Sequence, residues 1–343
     1  MKSFRWALLP FAFLYGIATG ARNWLFNLGW KKSYTIPGKS ITVGNLSVGG
    51  TGKSPFVAYL IQHFLKEEQP VATLSRGYGR KTKGLATANE ESSAESIGDE
   101  PLQYFHRFQD QISVHVAEER KVGVDHIRNS QSDETVLLLD DAFQHRKVRA
   151  GLNILITEYQ RPYSKDFLLP VGRLRESKSG ANRADIIIVS KCPEKVSNES
   201  KEDLTKDLAK TGQPVFFSSI QYGELELISG EQPNEIKEVL LVTGIGNPTP
   251  LLEHLESHYN VIHLKFPDHH AFTSVDIDTI HQKFNTFASR DMIIVTTEKD
   301  YMRLRKFDAV VNGSIPWFYQ PIEINISEEL KLKNLLNTYV RKN

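Results

Sequence analysis

From residue 40 onward, short runs of β-branched and aliphatic residues alternate with stretches long enough for a helix. The first series is SITVGN, PVATLS, ISVHVA, ETVLLLDD, LNILITE and ADIIIVSK, with a helix predicted from about Lys53 to Lys66. Nearly continuous apolar runs with helical connections predict a parallel sheet covered on both faces. A second series, EVLLVTGIG, NVIHLKFPD and DMIIVTTEKD, predicts a smaller α/β domain. Between the two, VFFSSIQYGELELISGEQPNE alternates and ends in turn residues, which reads as a linker strand outside any core. FFSSIQY is expected to carry the chain outward and WFYQPIEINI to bring it back, paired as a two-stranded ribbon with Pro321 at an edge. The resulting divisions are an N-terminal segment at 1–30, a core domain at 31–212, a linker strand at 213–235, a second domain at 236–316, a returning strand at 317–326, and a C-terminal helix, 327–343, packed on the core. There is no repeat of solenoid period.

The N-terminal segment departs from this pattern. Trp6 to Ala21 is mostly apolar, and a second group of aromatic and leucine residues precedes Lys31 and Lys32. A membrane-spanning helix needs about twenty apolar residues, so this one is short. ATGA is a poor signal-peptide cleavage site, and export is not expected. Trp6, Tyr15, Trp24 and Trp30 with flanking Lys and Arg suit a helix lying at the lipid headgroup level. In that position Phe4, Trp6, Leu8, Leu9, Phe11, Phe13 and Leu14 would enter the interface, and Arg5, Arg22, Lys31 and Lys32 would face anionic headgroups. A helix buried against the first domain is the alternative.

Composition narrows the partners. The chain has 343 residues, 40% hydrophobic and 24% charged, enough for two domains with buried cores. A formal net charge of +1 provides no bulk field toward nucleic acid, so any anion must be held by a local patch. The single cysteine, Cys192, excludes an internal disulfide framework and fits a reducing compartment.

The chemistry concentrates in a few loops. VGNLSVGGTGKSP follows a strand and opens a helix, although Ser47 stands where a Walker A loop has its first glycine. In a phosphate loop, backbone N–H groups form a nest around the phosphate, the lysine neutralises charge and the next hydroxyl binds Mg²⁺. Gly49, Gly50, Thr51, Gly52, Lys53 and Ser54 supply those parts, and Pro55 is tolerated in a first helical turn. TVLLLDDAFQH is a hydrophobic strand ending in Asp140 and Asp141, as in a Walker B strand whose carboxylate orients Mg²⁺ or its water. A solvated turn would also carry two acids, but not beside a loop that needs a metal partner.

Other polar groups have both structural and chemical readings. Arg76, Arg80, Lys81 and Lys83 form a solvated charge run or a clamp for an acceptor's phosphate. Asp99 and Glu100 precede a proline, so Asp99 is either a helix N-cap or a carboxylate able to take a proton from a hydroxyl. Arg173, Arg175 and Glu176 lie in RLRES, and Asp268, His269 and His270 in FPDHHAF. Adjacent histidines point in different directions on most backbones, so one catalytic histidine is expected and shared metal ligation is not.

Together VGNLSVGGTGKSP, SRGYGR, GDEP, LLDDAFQHR, LLPVGRLRE, ADIIIVSK, FPDHHAF and TTEKDYMRL resemble the tetraacyldisaccharide 4′-kinase family of Gram-negative bacteria, in family order from residue 43 to about 304. The family's phosphate loop has the form GN-x-x-x-GGTGK-[ST]-P, so Ser47 fits it and the family's glycine is Gly44. The resemblance implies transfer of the ATP γ-phosphoryl group, with Mg²⁺, to the 4′-hydroxyl of tetraacyldisaccharide 1-phosphate at the cytoplasmic face of the inner membrane. It implies a P-loop NTPase-like parallel sheet domain and no nucleic-acid or protein partner. It also implies Asp99 as the base, supported by His269 rather than His270, with Lys53 on the phosphates and Ser54, Asp140, Asp141 and Glu176 around the metal. Arg76, Arg80, Arg120 and Arg175 fall on the substrate side. If His269 lies on the second domain, domain closure would complete the site.

Rival classes leave features unexplained. A GTPase switch needs an N/T-K-x-D motif, yet Pro193 replaces the aspartate in VSKCP, and Lys299 and Asp300 are adjacent. A P-loop kinase for another sugar or small-molecule hydroxyl leaves the apolar N-terminus without a purpose. A non-catalytic, nucleotide-binding membrane protein needs no Lys53, Ser54 and Asp140 group for chemistry.

Overall fold

The computed structural model describes residues 3–287 and 291–343, with side chains from residue 6 onward within those ranges. The side chains of Phe4 and Arg5, expected at the membrane interface, lie outside the described set.

Two sheets organise the chain. The first has nine strands in the order Ile322–Ile326, Val215–Tyr222, Ile186–Ser190, Leu152–Glu158, Ser40–Asn45, Val136–Asp140, Val71–Ser75, Ile112–Val116 and Ala86–Thr87. Its seven inner strands are parallel, and only the two outer pairs are antiparallel. The second has five strands, in the order Glu226–Ser229, Trp317–Gln320, Met292–Thr297, Glu238–Thr243 and Asn260–Lys265. The inner strands are buried on both faces, which is why their sequences read as continuous apolar runs. Ser40–Asn45 lies at the middle of the first sheet, so the loop after it opens at the carboxyl ends of the strands, where open α/β sheets bind ligands.

The helix Lys53–Lys66 buries Phe56, Leu60, Ile61 and Phe64 against this sheet. Beside it lies Glu329–Lys342, whose Leu332, Leu336 and Val340, spaced four apart, enter the same core. The Tyr339 hydroxyl donates to Ser40 O at 2.8 Å and accepts from Ser40 N at 3.0 Å. The chain's last helix is thereby fastened to the strand that leads into the phosphate loop.

The expected linker ribbon needs correction at both strands. Val215–Tyr222 is no bare linker, because its first half pairs with Ile186–Ser190 and buries Phe216 and Phe217 in the first core. Its second half pairs antiparallel with Ile322–Ile326, as a ribbon would. Trp317–Gln320, however, is an interior strand of the second sheet, between Glu226–Ser229 and Met292–Thr297. The burial pattern explains the split. All four residues of WFYQ are buried, as between two neighbours, whereas IEINI alternates like an edge strand. Pro321 lies at the step between the sheets, where its carbonyl accepts from Gly223 N on the outgoing strand at 3.1 Å.

Leu336 is fully buried between the last helix and the first sheet. Leu336→Ala is expected to lower unfolding stability by about 2–5 kcal/mol, read by urea titration. A loss under about 1 kcal/mol would mean that this helix is not part of the first core.

Candidate active site

The phosphate loop is built from close contacts that only glycine allows. A Cβ on Gly44 would lie 2.5 Å from Phe143 Cβ, so the segment after Asp140 could not cross the strand there. Gly49 and Gly52 have φ of +105° and +81°, which side chains rarely adopt. The loop is then held from both sides. Asn45 Nδ2 donates to Thr51 Oγ1 at 2.6 Å and Ser190 Oγ donates to Thr51 O at 2.8 Å. Lys191 Nζ donates to Gly50 O and pairs with Glu158. With the loop so fixed, Lys53 and Ser54 open a helix of fourteen residues, and its N-terminal amides and dipole favour an anion.

Asp140 and Asp141 are adjacent but face different neighbours. Asp141 has φ +46° and turns to the surface, with Lys53 Nζ 3.6 Å and Arg175 Nη2 2.9 Å from its Oδ1. Close packing opposes its charge, yet Lys53, Arg175 and Arg120 hold its carboxyl down to about 2. Asp140 is buried; its Oδ2 accepts from the Tyr104 hydroxyl at 2.9 Å, and its Oδ1 has no partner. Burial, with the nearby Glu100 charge, pushes the Asp140 carboxyl up to about 7, against the pull of Lys53. The Ser54 hydroxyl lies beside the same Tyr104 phenol and opposes the rise of its pKa.

A hydroxyl and an orphaned carboxylate oxygen at the end of a phosphate loop suit Mg²⁺, which takes one or two protein ligands and completes its shell with phosphate and water. Among the described residues no cluster of three His, Cys, Asp or Glu forms a closed metal cage.

Facing this group is a second one, assembled from both sheets. Gly98, with φ +97°, is the N-cap of the helix Asp99–Phe108, and a Cβ on it would lie 3.0 Å from Tyr78 O. The glycines of SRGYG and GDEP therefore pack on each other, and Asp99 caps nothing. Its carboxylate, left available, lies 3.4 Å from His269 Nδ1 and 3.4 Å from Arg303 Nε, both carried by loops or helices of the second sheet. His269 has φ +56°, a conformation that costs a non-glycine residue on the order of 1 kcal/mol or more. Its ring stands edge-on to Tyr78 at 5.7 Å.

Several expected site residues are placed differently. His270 is turned away, with Nε2 3.1 Å from Asp276 Oδ2 and its ring stacked on Phe266. Glu176 is already engaged by polar side chains. It is buried, and its oxygens accept from Asn23 Nδ2 at 2.6 Å, Arg183 Nη2 at 2.8 Å and Gln144 Nε2 at 3.1 Å. Arg80 folds back on its own loop, with Nη2 2.5 Å from Gly84 O and 2.7 Å from Glu118 Oε1, and its side chain is 2% exposed. Arg120 is buried behind Asp140, donating to Ala117 O and Asp140 O, and burial pulls its pKa down to about 10. Of the four arginines expected on the substrate side, Arg76 is exposed and Arg175 is partly so. Tyr104 has no signature beyond its place on a helix face, and Arg303, although it lies within TTEKDYMRL, has no role assigned by that motif. Ser190 and Lys191 end an apolar strand in polar residues, a signal available in ADIIIVSK.

The N-terminal helix, Leu9–Asn27, reaches into the same region. Tyr15 Oη donates to Arg175 O at 2.8 Å, Asn23 contacts Glu176, and Arg22 Nη2 donates to Gln144 O at 2.9 Å. On its other faces Phe11, Phe13, Leu14, Ile17 and Trp24, with Trp6 in the short 3-10 helix just before it, are more than half exposed. Among the described residues no helix is long and apolar enough to cross a membrane.

A phosphate loop, an acid-ended strand and an Asp–His pair brought together by two α/β sheets define a P-loop phosphotransferase. The tetraacyldisaccharide-1-P 4′-kinase family profile matches residues 4–341. The chain belongs to this family. It is 42% identical over 339 residues to the tetraacyldisaccharide 4′-kinase of Cytophaga hutchinsonii, covering 97% of this chain and 95% of that one. To that of Flavobacterium johnsoniae it is 41% identical, covering 100% and 99%. A crystal structure of the Aquifex aeolicus family member in complex with ATP is 31% identical, with a TM-score of 0.74 over 98% of this chain and 99% of that one.

The raised Asp140 pKa has a stability consequence. Its native form binds a proton that the unfolded chain, with an ordinary carboxyl pKa of 3.8, has already released. This group's contribution to stability is therefore full below about pH 4 and falls as pH rises toward about 7. Asp140→Asn is expected to flatten that part of the stability profile between pH 5 and 8, measured by denaturant unfolding without nucleotide. An unchanged slope would contradict the assignment.

Proposed function

We propose that this chain transfers the γ-phosphoryl group of ATP to the 4′-hydroxyl of tetraacyldisaccharide 1-phosphate, working from the surface of the bacterial inner membrane. What carries the lipid acceptor is the double character of the N-terminal helix, which hydrogen-bonds the Arg175–Glu176 segment while presenting Trp6, Phe11, Phe13 and Leu14 outward. A helix of this kind can sit in the lipid interface while its inner face borders the sugar's path to ATP.

Lys53 and the loop amides hold the phosphates. Ser54 and Asp140 are the residues that would hold Mg²⁺ directly or through its water, and the ion would neutralise charge on the phosphates during transfer. Asp141 aligns Lys53 and Arg175. Asp99 accepts the proton of the 4′-hydroxyl as that oxygen bonds to the γ-phosphorus, the bond to the β–γ bridging oxygen breaks, and ADP leaves. His269, across the gap between sheets, orients Asp99, so closure of the second lobe is the step that readies the base. Arg76 and Arg175 are the arginines able to meet the acceptor.

Three measurements test this reading. ATP and tetraacyldisaccharide 1-phosphate in detergent should yield a product heavier by one phosphoryl group; its absence sinks the proposal, and equal use of a deacylated disaccharide would favour a soluble acceptor. Lys53→Ala is expected to weaken both ATP binding and turnover, whereas Asp99→Ala should lower kcat by about 10²–10⁴-fold with ATP affinity kept. Replacing Trp6, Phe11, Phe13 and Leu14 together by Ser should release the protein from anionic vesicles and raise KM for the lipid by about tenfold or more, with ATP affinity unchanged. A variant that still sediments with vesicles would refute the interfacial role.

A further inference from the structure

Arg303 lies on the helix Glu298–Leu304 of the second lobe, with its side chain 8% exposed. Its Nη1 donates to His270 O at 2.9 Å, and its Nη2 donates to Gly244 O at 3.2 Å and Asp300 Oδ1 at 2.5 Å. Gly244 O also accepts from His269 N at 3.0 Å, and Asp300 Oδ2 accepts from Gly244 N at 2.9 Å. One guanidinium thus fixes the backbone on both sides of His269, a residue held at positive φ. The remaining Nε–H has no hydrogen-bond partner and lies 3.4 Å from Asp99 Oδ2. Phe272 covers the guanidinium, with its ring centroid 5.8 Å away.

We infer that Arg303 is a positioning residue for phosphoryl transfer: by one planar group it sets His269 and Asp99 against each other when the lobes dock. The inference rests on the reading of Asp99 as the base. Two opposed demands require arginine here. The Nη groups must hold fixed carbonyls within one lobe, and the Nε edge must keep its positive charge beside a carboxylate of the other. A lysine supplies one charged point with no fixed fork, so it can meet one demand but not both. Displacing a catalytic carboxylate by even about 1 Å costs on the order of 10²-fold in rate.

The test uses the full chain, ATP, and tetraacyldisaccharide 1-phosphate in detergent. Arg303→Met should lower kcat by about 10–100-fold, leave ATP affinity and lipid KM within about threefold, and Arg303→Lys should recover only a small part of the loss. Asp99→Asn alone should be severely impaired, and adding Arg303→Met to it should lower kcat no further. If Asp99→Asn retains near-normal turnover, the reading of the base fails. If Asp99→Asn is impaired but Arg303→Met is not, or if Arg303→Met lowers kcat equally in both backgrounds, the positioning role fails while the base stands. Should Arg303→Met not fold, as judged by near-ultraviolet circular dichroism, the cycle is run with Arg303→Lys, which keeps the charge beside Asp300. An additive loss there overturns the inference.

Discussion

The working arrangement depends on a seam of charge between two short helices, Asp99–Phe108 on the first sheet and Glu298–Leu304 on the second. Asp99 lies against Arg303 at 3.4 Å, Glu100 against Lys299 at 3.3 Å, and Arg107 against Glu298 at 4.0 Å. The acids of the first pairs begin one helix, and their basic partners come from the start and the end of the other. Such half-buried pairs add little net stability, but losing one partner leaves an uncompensated charge, which makes the seam selective for one docking position. Everything that needs both sheets, above all the contact of His269 with Asp99, follows from that position.

The division of labour is asymmetric. The phosphate loop, Lys53, Ser54, Asp140 and Tyr104 belong to the first sheet, and the loop is braced by residues of that sheet's own strands. The acceptor side is composite. Asp99 comes from the first sheet, His269 and Arg303 from the second, and only two chain crossings, at Gly223 and Pro321, join them. A hinge of two crossings can open only by parting the seam of ion pairs, where Met302 also packs against Ile97, Leu102 and Val116, while the main cores of both sheets stay intact. This geometry suits a phosphotransferase that must keep water from ATP until an acceptor is present.

The N-terminal helix adds a third attachment. It is neither wholly buried nor wholly exposed. Its polar residues Tyr15, Arg22 and Asn23 are bonded to loops that border the phosphate site, while its apolar residues project outward. Glu176, expected near the metal, is instead a junction of this helix with Gln144 and Arg183. One helix thus carries both the polar contacts that border the site and the exposed apolar residues proposed to meet lipid.

Local sequence determined the parts whose physics is local. Glycine spacing before Lys53 and Ser54 defined a phosphate loop because positive φ and close backbone approach belong to glycine wherever it stands. Continuous apolar runs defined buried parallel strands, and even the misplaced Trp317–Gln320 carried its signature in four successive buried residues. Tertiary structure decided what depends on partners distant in the chain. It separated Asp140 from Asp141, placed His269 beside Asp99, tied Arg80 to Glu118 and Glu176 to Arg183, and brought Arg303 across about two hundred residues to Asp99. A carboxylate or guanidinium carries the same charge in every sequence context, and its role is set by burial and by what lies within about 4 Å, quantities that exist only once the two sheets have docked.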